Sequence, residues 1–539
     1  MLSQHLRLAA PWTTPAAALT ILLATSALAQ EEHAHQALGK VHFPVTCQAE
    51  AQATFDEAMK LQHSFWHKPA IGKFQEVLER DPSCVMAYWG QALALLDNPF
   101  SPPPAQNLAE GLSRLEEARK IGARTQREAD YIEALLAFYR DHDKVDHRTR
   151  VLAFEQAMKG LAARYPDDPE ARIYHALALD MAASPTDKTY ANQLEAARIL
   201  EAEWQRQPDH PGVAHYLIHT YDFPPLAQQG LVAAGRYSAI APDAPHAVHM
   251  PSHIFTRVGH WEQSVASNTK ATEIARKDGY IGEELHTLDY MVYAHLQMGH
   301  DEAARRIVDD LGRFDDLDPA GMPLARAGFF ARAAMPARLA LERGAWDEAA
   351  ALEAHKTPFP FADALTHYAR AVGLARSGQP DKAAKDVEAL KELAEALRGK
   401  DPYWMEQVDI QHQAAEAWVA FAKGNREEAL AGLRNAADRE ARTEKHVITP
   451  GPLAPAREQL AEMLLDMKRP GDALVEFETV QRSEPNRFRA IYGAARAAEM
   501  AGDRERARQH YSKLIETIGT ADTTRPEVTI ARTFMAAPG

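Results

Sequence analysis

The chain has 539 residues and a net charge of −15 with histidine neutral. That acidic balance excludes a phosphate-backbone partner, which needs clustered lysine and arginine, so no nucleic acid is expected. A chain this long makes either several ordinary domains or one repeat array.

In chain order, residues 1–29 read as a secretory leader. Arg7 is its one basic residue, Ala16–Ala24 forms an apolar core interrupted by Thr20, and Ala27-Leu28-Ala29 is a small-x-small cleavage site. The apolar stretch is short for a membrane span, and nothing later approaches ~18 uninterrupted apolar residues. The mature chain is therefore expected in the periplasm or the medium, with no stable membrane insertion after leader removal. No cysteine sits at the cleavage point, which argues against a lipoprotein. Residues 30–48 are polar and read as loose. Export places Cys47 and Cys84 in an oxidising compartment, where paired thiols form disulfides, and a Cys47–Cys84 bridge is expected.

From residue 49 onward strand signals are almost absent, and the spacing predicts an all-α chain. Amphipathic stretches rich in Ala, Leu, Glu, Arg and Gln alternate with short breaks at Gly, Pro or Asp. One form of break recurs: a glycine, a few polar residues, then a small residue five positions on. It occurs at Gly299…Ala304, Gly344…Ala349, Gly378…Ala383, Gly424…Ala429 and Gly502…Ala507, with Gly259…Ser264 a variant. Most successive glycines lie 34 to 46 residues apart, the period of stacked helix–turn–helix units. The expected segments are 49–205, a histidine-rich 206–300, 301–447 and 448–518. A tail over 519–539 shows no periodicity. Proline-containing breaks at 98–105, 318–323, 356–361 and 448–455 read as bends, the last separating the final two units.

Pro485, Ala495, Gly502, Ala507 and Tyr511 fall where the tetratricopeptide repeat places its Pro, small, Gly, Ala and aromatic residues, and residues 80–95 look like the start of another such unit. The chain therefore resembles the tetratricopeptide superfamily over most of 50–518. The resemblance implies a right-handed superhelical α-solenoid whose first helices line a concave groove that takes a peptide or protein. HPGVAHYLIHTYD and PHAVHMPSHIFTRVGHW, within 210–261, also resemble a group of exported bacterial tetratricopeptide proteins. That likeness implies no activity.

The chemistry concentrates in the same segment. Seven of the protein's 24 histidines fall between His210 and His260. Counting back from Gly259 as repeat position 15, the resemblance puts His246, His249 and His253 at groove positions 2, 5 and 9. Counting from Gly299 puts His286, Asp289 and Tyr293 there in the next unit, and His215 and His219 fit the same wall in the preceding one. Asp222 joins from the rim. Neutral imidazoles ligate Zn, Cu, Ni or Fe, and a carboxylate can balance charge or orient a ligand histidine. An i, i+4 pair grips one ion from a single helix face, so His215, His219, His249 and His253 are expected to share one ion. The pattern is not HExxH, because Tyr216 and Met250 stand where a zincin carries glutamate. If the site is catalytic, Asp222 or Asp289 must act as base.

Other readings stand beside the metal. The histidines suit a hydrogen-bonded network between helix layers, and they suit an organic ligand or a peptide carboxylate. Tyr216, Tyr221 and Phe223 either wall a pocket or pack the solenoid, and Tyr293 joins Tyr216 and Tyr221 as a candidate ligand contact. His63 and His67 form another i, i+4 pair, but Phe65 and Trp66 suggest packing there. The leading expectation is an exported binding protein or scaffold with a metal in its groove. The rivals are a metal-dependent hydrolase or oxidoreductase and a purely structural scaffold.

Overall fold

The computed structural model describes residues 37–319 and 321–537. The leader expected over 1–29 and the first residues after it lie outside that range. Every regular element among the described residues is a helix. Each helix packs chiefly against its neighbours in sequence, which builds an all-α solenoid from stacked helix–turn–helix units.

The recurrent breaks do what their composition predicts. Gly259, Gly299, Gly344, Gly378, Gly424 and Gly502 all take positive φ at the turn between two helices. At Gly259 the reason is double, since a Cβ would also meet the Pro485 carbonyl oxygen at 2.5 Å. The small residue five positions later is fully buried in every unit: Ser264, Ala304, Ala349, Ala383, Ala429 and Ala507 are each 0% exposed. A larger side chain there would hold the two helices of the unit apart.

Three segments differ from expectation. Residues 37–48 are packed rather than loose: Phe43 is buried against Phe55, Trp89 and Tyr131, and Lys40 N–H donates to the Asp209 carbonyl at 3.0 Å. Their apolar residues are too few to show periodicity but enough to seat the strand of chain on the first helices. Cys47 and Cys84 are bonded there, with Cα atoms 4.9 Å apart. The tail carries a helix, Pro526–Ala536, which buries Val528 and Ala531; beside it Arg525 pairs with Asp301.

The third difference positions the site. The stretch 441–455 does not simply separate two repeats. It runs across earlier repeats as a strap, fastened at successive points between Lys188 and Arg338. Lys188 Nζ donates to the Thr443 carbonyl at 2.7 Å and Tyr190 Oη to Glu444 at 2.6 Å. Lys445 Nζ donates to Asp222 at 2.9 Å, and Tyr290 Oη to the Thr449 carbonyl at 3.3 Å. Arg338 donates to the Gly451 and Pro452 carbonyls and to Thr449 Oγ1. Its prolines remove backbone donors, and the carbonyls left over are taken up by side chains of other repeats.

Candidate metal centre

The helix Pro211–Tyr221 begins at His210, whose ring Nδ1 accepts the Val213 amide at 3.3 Å, with Pro211 at the first helical position. It can lie close to His63 because residue 212 is glycine: a Cβ there would meet His63 Nδ1 at 2.3 Å. His215 and His219 project from one face of this helix. The next unit opens with two short helices, Pro245–His249 and Pro251–Arg257, which carry His246, His249 and His253. His286 comes from the helix Ile281–Gln297 of the unit after that.

These six side chains form two groups of three. The candidate ligand atoms of His215, His219 and His246 all lie within 4.8 Å of one another, and so do those of His249, His253 and His286. The sequence expectation that His215, His219, His249 and His253 share one ion is thus replaced by two adjacent triads, each an i, i+4 pair completed by one more imidazole. Ring centroids of His219 and His253 are 6.0 Å apart across the boundary, and those of His246 and His249 are 5.9 Å apart.

The hydrogen bonds fix which nitrogens face inward. Asn268 Nδ2 donates to the Ser264 carbonyl at 2.7 Å, which leaves its Oδ1 to accept His249 Nδ1–H at 2.6 Å. His253 Nδ1–H donates to Asp222 Oδ2 at 2.9 Å. With both Nδ1 atoms spent as donors, the two neutral rings turn Nε2 lone pairs toward each other at 3.0 Å. The first triad follows the scheme only in part, because His219 Nδ1 has no acceptor and its Nε2–H is free to donate to His215 Nε2. His215 Nδ1–H donates to the His63 carbonyl at 2.7 Å and its Nε2 stands 3.1 Å from His219 Nε2. His246 Nδ1–H donates to Glu283 Oε1 at 3.2 Å, and its buried Nε2 has no partner. His286 Nδ1 and His219 Nδ1 are likewise buried without partners.

Burial keeps these rings neutral. His215, His219, His249, His253 and His286 are each 5% exposed or less. Burial, and then the neighbouring imidazoles, hold His215, His219 and His286 well below the ordinary histidine value. Burial takes His249 down to about 3, and takes His253 to about 4 against the pull of Asp222. Asp222 stays ionised: burial favours its neutral form, but Lys445 and Arg257 outweigh that and hold it well below the carboxylate range. Arg257 Nε donates to its Oδ1 at 2.8 Å.

This donor set fits a transition-metal ion. Nitrogens at 2.0–2.1 Å from a tetrahedral ion stand roughly 3.3 Å apart, close to the spacing of both i, i+4 pairs. Facing lone pairs repel unless a cation lies between them. Outer partners that fix the tautomer, as Asn268, Asp222, Glu283 and the His63 carbonyl do here, are the usual companions of ligand histidines.

A third group, His63, Glu170 and His210, has the spacing of a ligand set but not its chemistry. Glu170 accepts from His63 Nε2 at 3.0 Å and from His210 Nε2 at 2.9 Å. Tyr216 Oη donates to His63 Nδ1 at 3.0 Å, so every ring nitrogen of this group is bonded. It is a hydrogen-bonded bridge between layers.

Several candidates from the sequence lie away from the triads. Asp289 is held by Arg338, whose Nε donates to it at 2.7 Å, and it reaches neither group. Asp222 is an outer partner of His253 rather than a direct ligand. Tyr216 faces His63, Tyr221 donates to Glu201 at 2.6 Å, and Tyr293 donates to Glu484 at 3.3 Å. None of the three lines the histidine cavity. Trp261 and Leu285 are buried between helices as the repeat register requires. His67 separates from His63 and faces the cavity.

That cavity encloses about 730 Å³. His219, His246, His253 and His286 form part of its wall, and Glu283 is the carboxylate beside them. Val447 and Ile448 of the strap cover one side. Sequence reasoning missed Glu283, Asn268, Arg257 and Lys445. Glu283 had a usable signal, three residues before His286 on one helix, and so did Arg257, four residues after His253 on its helix; Asn268 and Lys445 had none near the histidines.

No family model matches the sequence, and no curated protein matches it. Among solved structures, yeast Tom70 is 12% identical with a TM-score of 0.29, covering 88% of this chain and 87% of that one. The Cut9–Hcn1 hetero-tetramer of the APC/C is 12% identical with a TM-score of 0.27, covering 90% and 95%.

Proposed function

We propose that this chain is an exported transition-metal protein, each triad holding one ion on a helical scaffold. The observation that carries the reading is the 3.0 Å approach of His249 Nε2 to His253 Nε2 while both Nδ1 atoms are bound as donors. A purely structural network would place a proton between those nitrogens, as it does throughout the His63–Glu170–His210 group. Zn and Cu suit an all-imidazole donor set. The Cys47–Cys84 bond suits the oxidising compartment that export supplies.

The tetratricopeptide likeness suggests a peptide or protein in the groove. At the histidines the chain's own strap lies there, so a macromolecular partner belongs elsewhere on the concave surface. The enzyme reading is favoured by one observation: four of the six imidazoles line a single cavity together with Glu283. That glutamate takes over the base role first assigned to Asp222 or Asp289.

The test is elemental analysis of untagged protein, followed by titration of the chelator-treated form with Zn²⁺ and Cu²⁺. Two equivalents are expected for the wild type and one for His249→Ala, with His67→Ala unchanged. Zero bound equivalents in the wild type would remove the reading and leave the scaffold.

A further inference from the structure

The cavity beside the triads has a composition that a metal store would not require. Its wall is mostly apolar, with Phe65, Trp66, Ile71, Leu96, Met322 and Phe359 among the lining residues. Its volume of about 730 Å³ lies within the range of small-molecule sites. It reaches the surface where exposed Lys68 and Gln106 line it. The histidines sit at its buried wall.

Charge narrows the ligand. Imidazole ligands bring no charge of their own, so they leave the charge of bound cations uncompensated. Asp222 is already paired with Arg257 and Lys445, and the two carboxylates that line the cavity, Glu283 and Asp97, offset at most half the charge of two divalent ions. Lys68 adds positive charge at the mouth. A molecule entering this space meets an apolar wall along its length and an electron-poor floor at its end.

Resting on the metal reading, we infer that the cavity binds a small aromatic or aliphatic molecule with an anionic oxygen head, head toward the triads and apolar body against Ile71 and Met322. The strap covers the cavity from Val447 and Ile448, so the body is enclosed rather than laid along an open groove.

The experiment uses the full mature chain loaded with Co²⁺, whose visible spectrum reports its coordination. Two probes with the same head and different bodies are titrated, benzohydroxamate and acetohydroxamate. Burial of the phenyl ring should make the first bind roughly tenfold tighter or more. Ile71→Trp and Met322→Trp, which fill the cavity from different segments, should keep their cobalt and their melting temperature. They should also keep acetohydroxamate binding and lose the phenyl preference. If cobalt binds but neither probe changes the spectrum, or both bind equally, or the tryptophan variants keep the preference, the inference falls and the metal reading stands. If cobalt does not bind at all, both fall.

Discussion

Lys445 and His253 hydrogen-bond the same atom, Oδ2 of Asp222, each at 2.9 Å. One carboxylate oxygen therefore fastens the strap and orients an imidazole of the second triad. Burial lowers the lysine to about 8, against the attraction of Asp222. The contact is thus an electrostatic one between groups that have both left water, and its geometry governs its value.

Replacing Lys445 should loosen the strap without dismantling the repeats. Lys445→Met leaves Asp222 paired with Arg257 and His253, and should cost about 1–3 kcal/mol in unfolding free energy. Limited trypsin digestion should then cut faster at Arg442, the exposed residue where the strap begins. Unchanged digestion kinetics would show that the remaining strap contacts suffice.

Asp222→Asn should act on one triad only. The amide presents a weaker acceptor to His253 Nδ1–H, and loss of such an outer partner typically weakens metal affinity about 10–100-fold. In a two-step Zn²⁺ titration one step should shift and the other should stay. Equal weakening of both steps would mean that the triads act as a single centre.

Gly212→Ala tests the first triad from the far side. Its Cβ would overlap His63 Nδ1, so either His63 or the helix Pro211–Tyr221 must move, at a cost of about 1–3 kcal/mol. Because His215 donates to the His63 carbonyl, metal affinity at the first triad should fall with stability. Gly235→Ala is the control: nothing lies within 4 Å of its Cβ, and alanine there should stabilise the helix by about 0.5–1 kcal/mol.

Histidines outside the triads set an acid limit on the metal-free protein. Burial takes His446 down to about 3 and takes His147 and His295 to about 4. An unfolded histidine titrates near 6.5, so between about 6.5 and 4 the unfolded chain binds protons that the folded chain refuses. Stability is therefore full above about pH 6.5 and falls as pH drops toward 4. Urea unfolding of chelator-treated protein at pH 7.5, 6 and 5 should show the decline, and His446→Phe should make it shallower. A flat profile would contradict the burial of these rings.

The scaffold was legible because its signals are local. Turn glycines and the small residues that follow them encode a backbone turn and a close helix contact within one unit. The pairing of His215 with His219, and of His249 with His253, was legible for the same reason. The division into two triads was not, because it depends on the acceptors that the Nδ1 atoms of His215, His246, His249 and His253 find. Asn268 lies on the second helix of its unit, and Glu283 and His286 lie one unit further on. Asp289 shares the register of His249 but meets Arg338, so equal repeat position did not mean equal surroundings. The 448–455 prolines were read as a bend, and nothing near them points to Asp222.

Lys445 lies 223 residues beyond the carboxylate it meets, and that separation sets an order of assembly. The six imidazoles and their first acceptors all lie between residues 63 and 286, so both triads can form while the later repeats are still emerging. Their cover arrives only after residue 445 has been made and the repeats on either side of the strap have docked. Until then the histidines would stay open to solvent. A chain interrupted before the strap would be held there, able to collect ions but unable to enclose them.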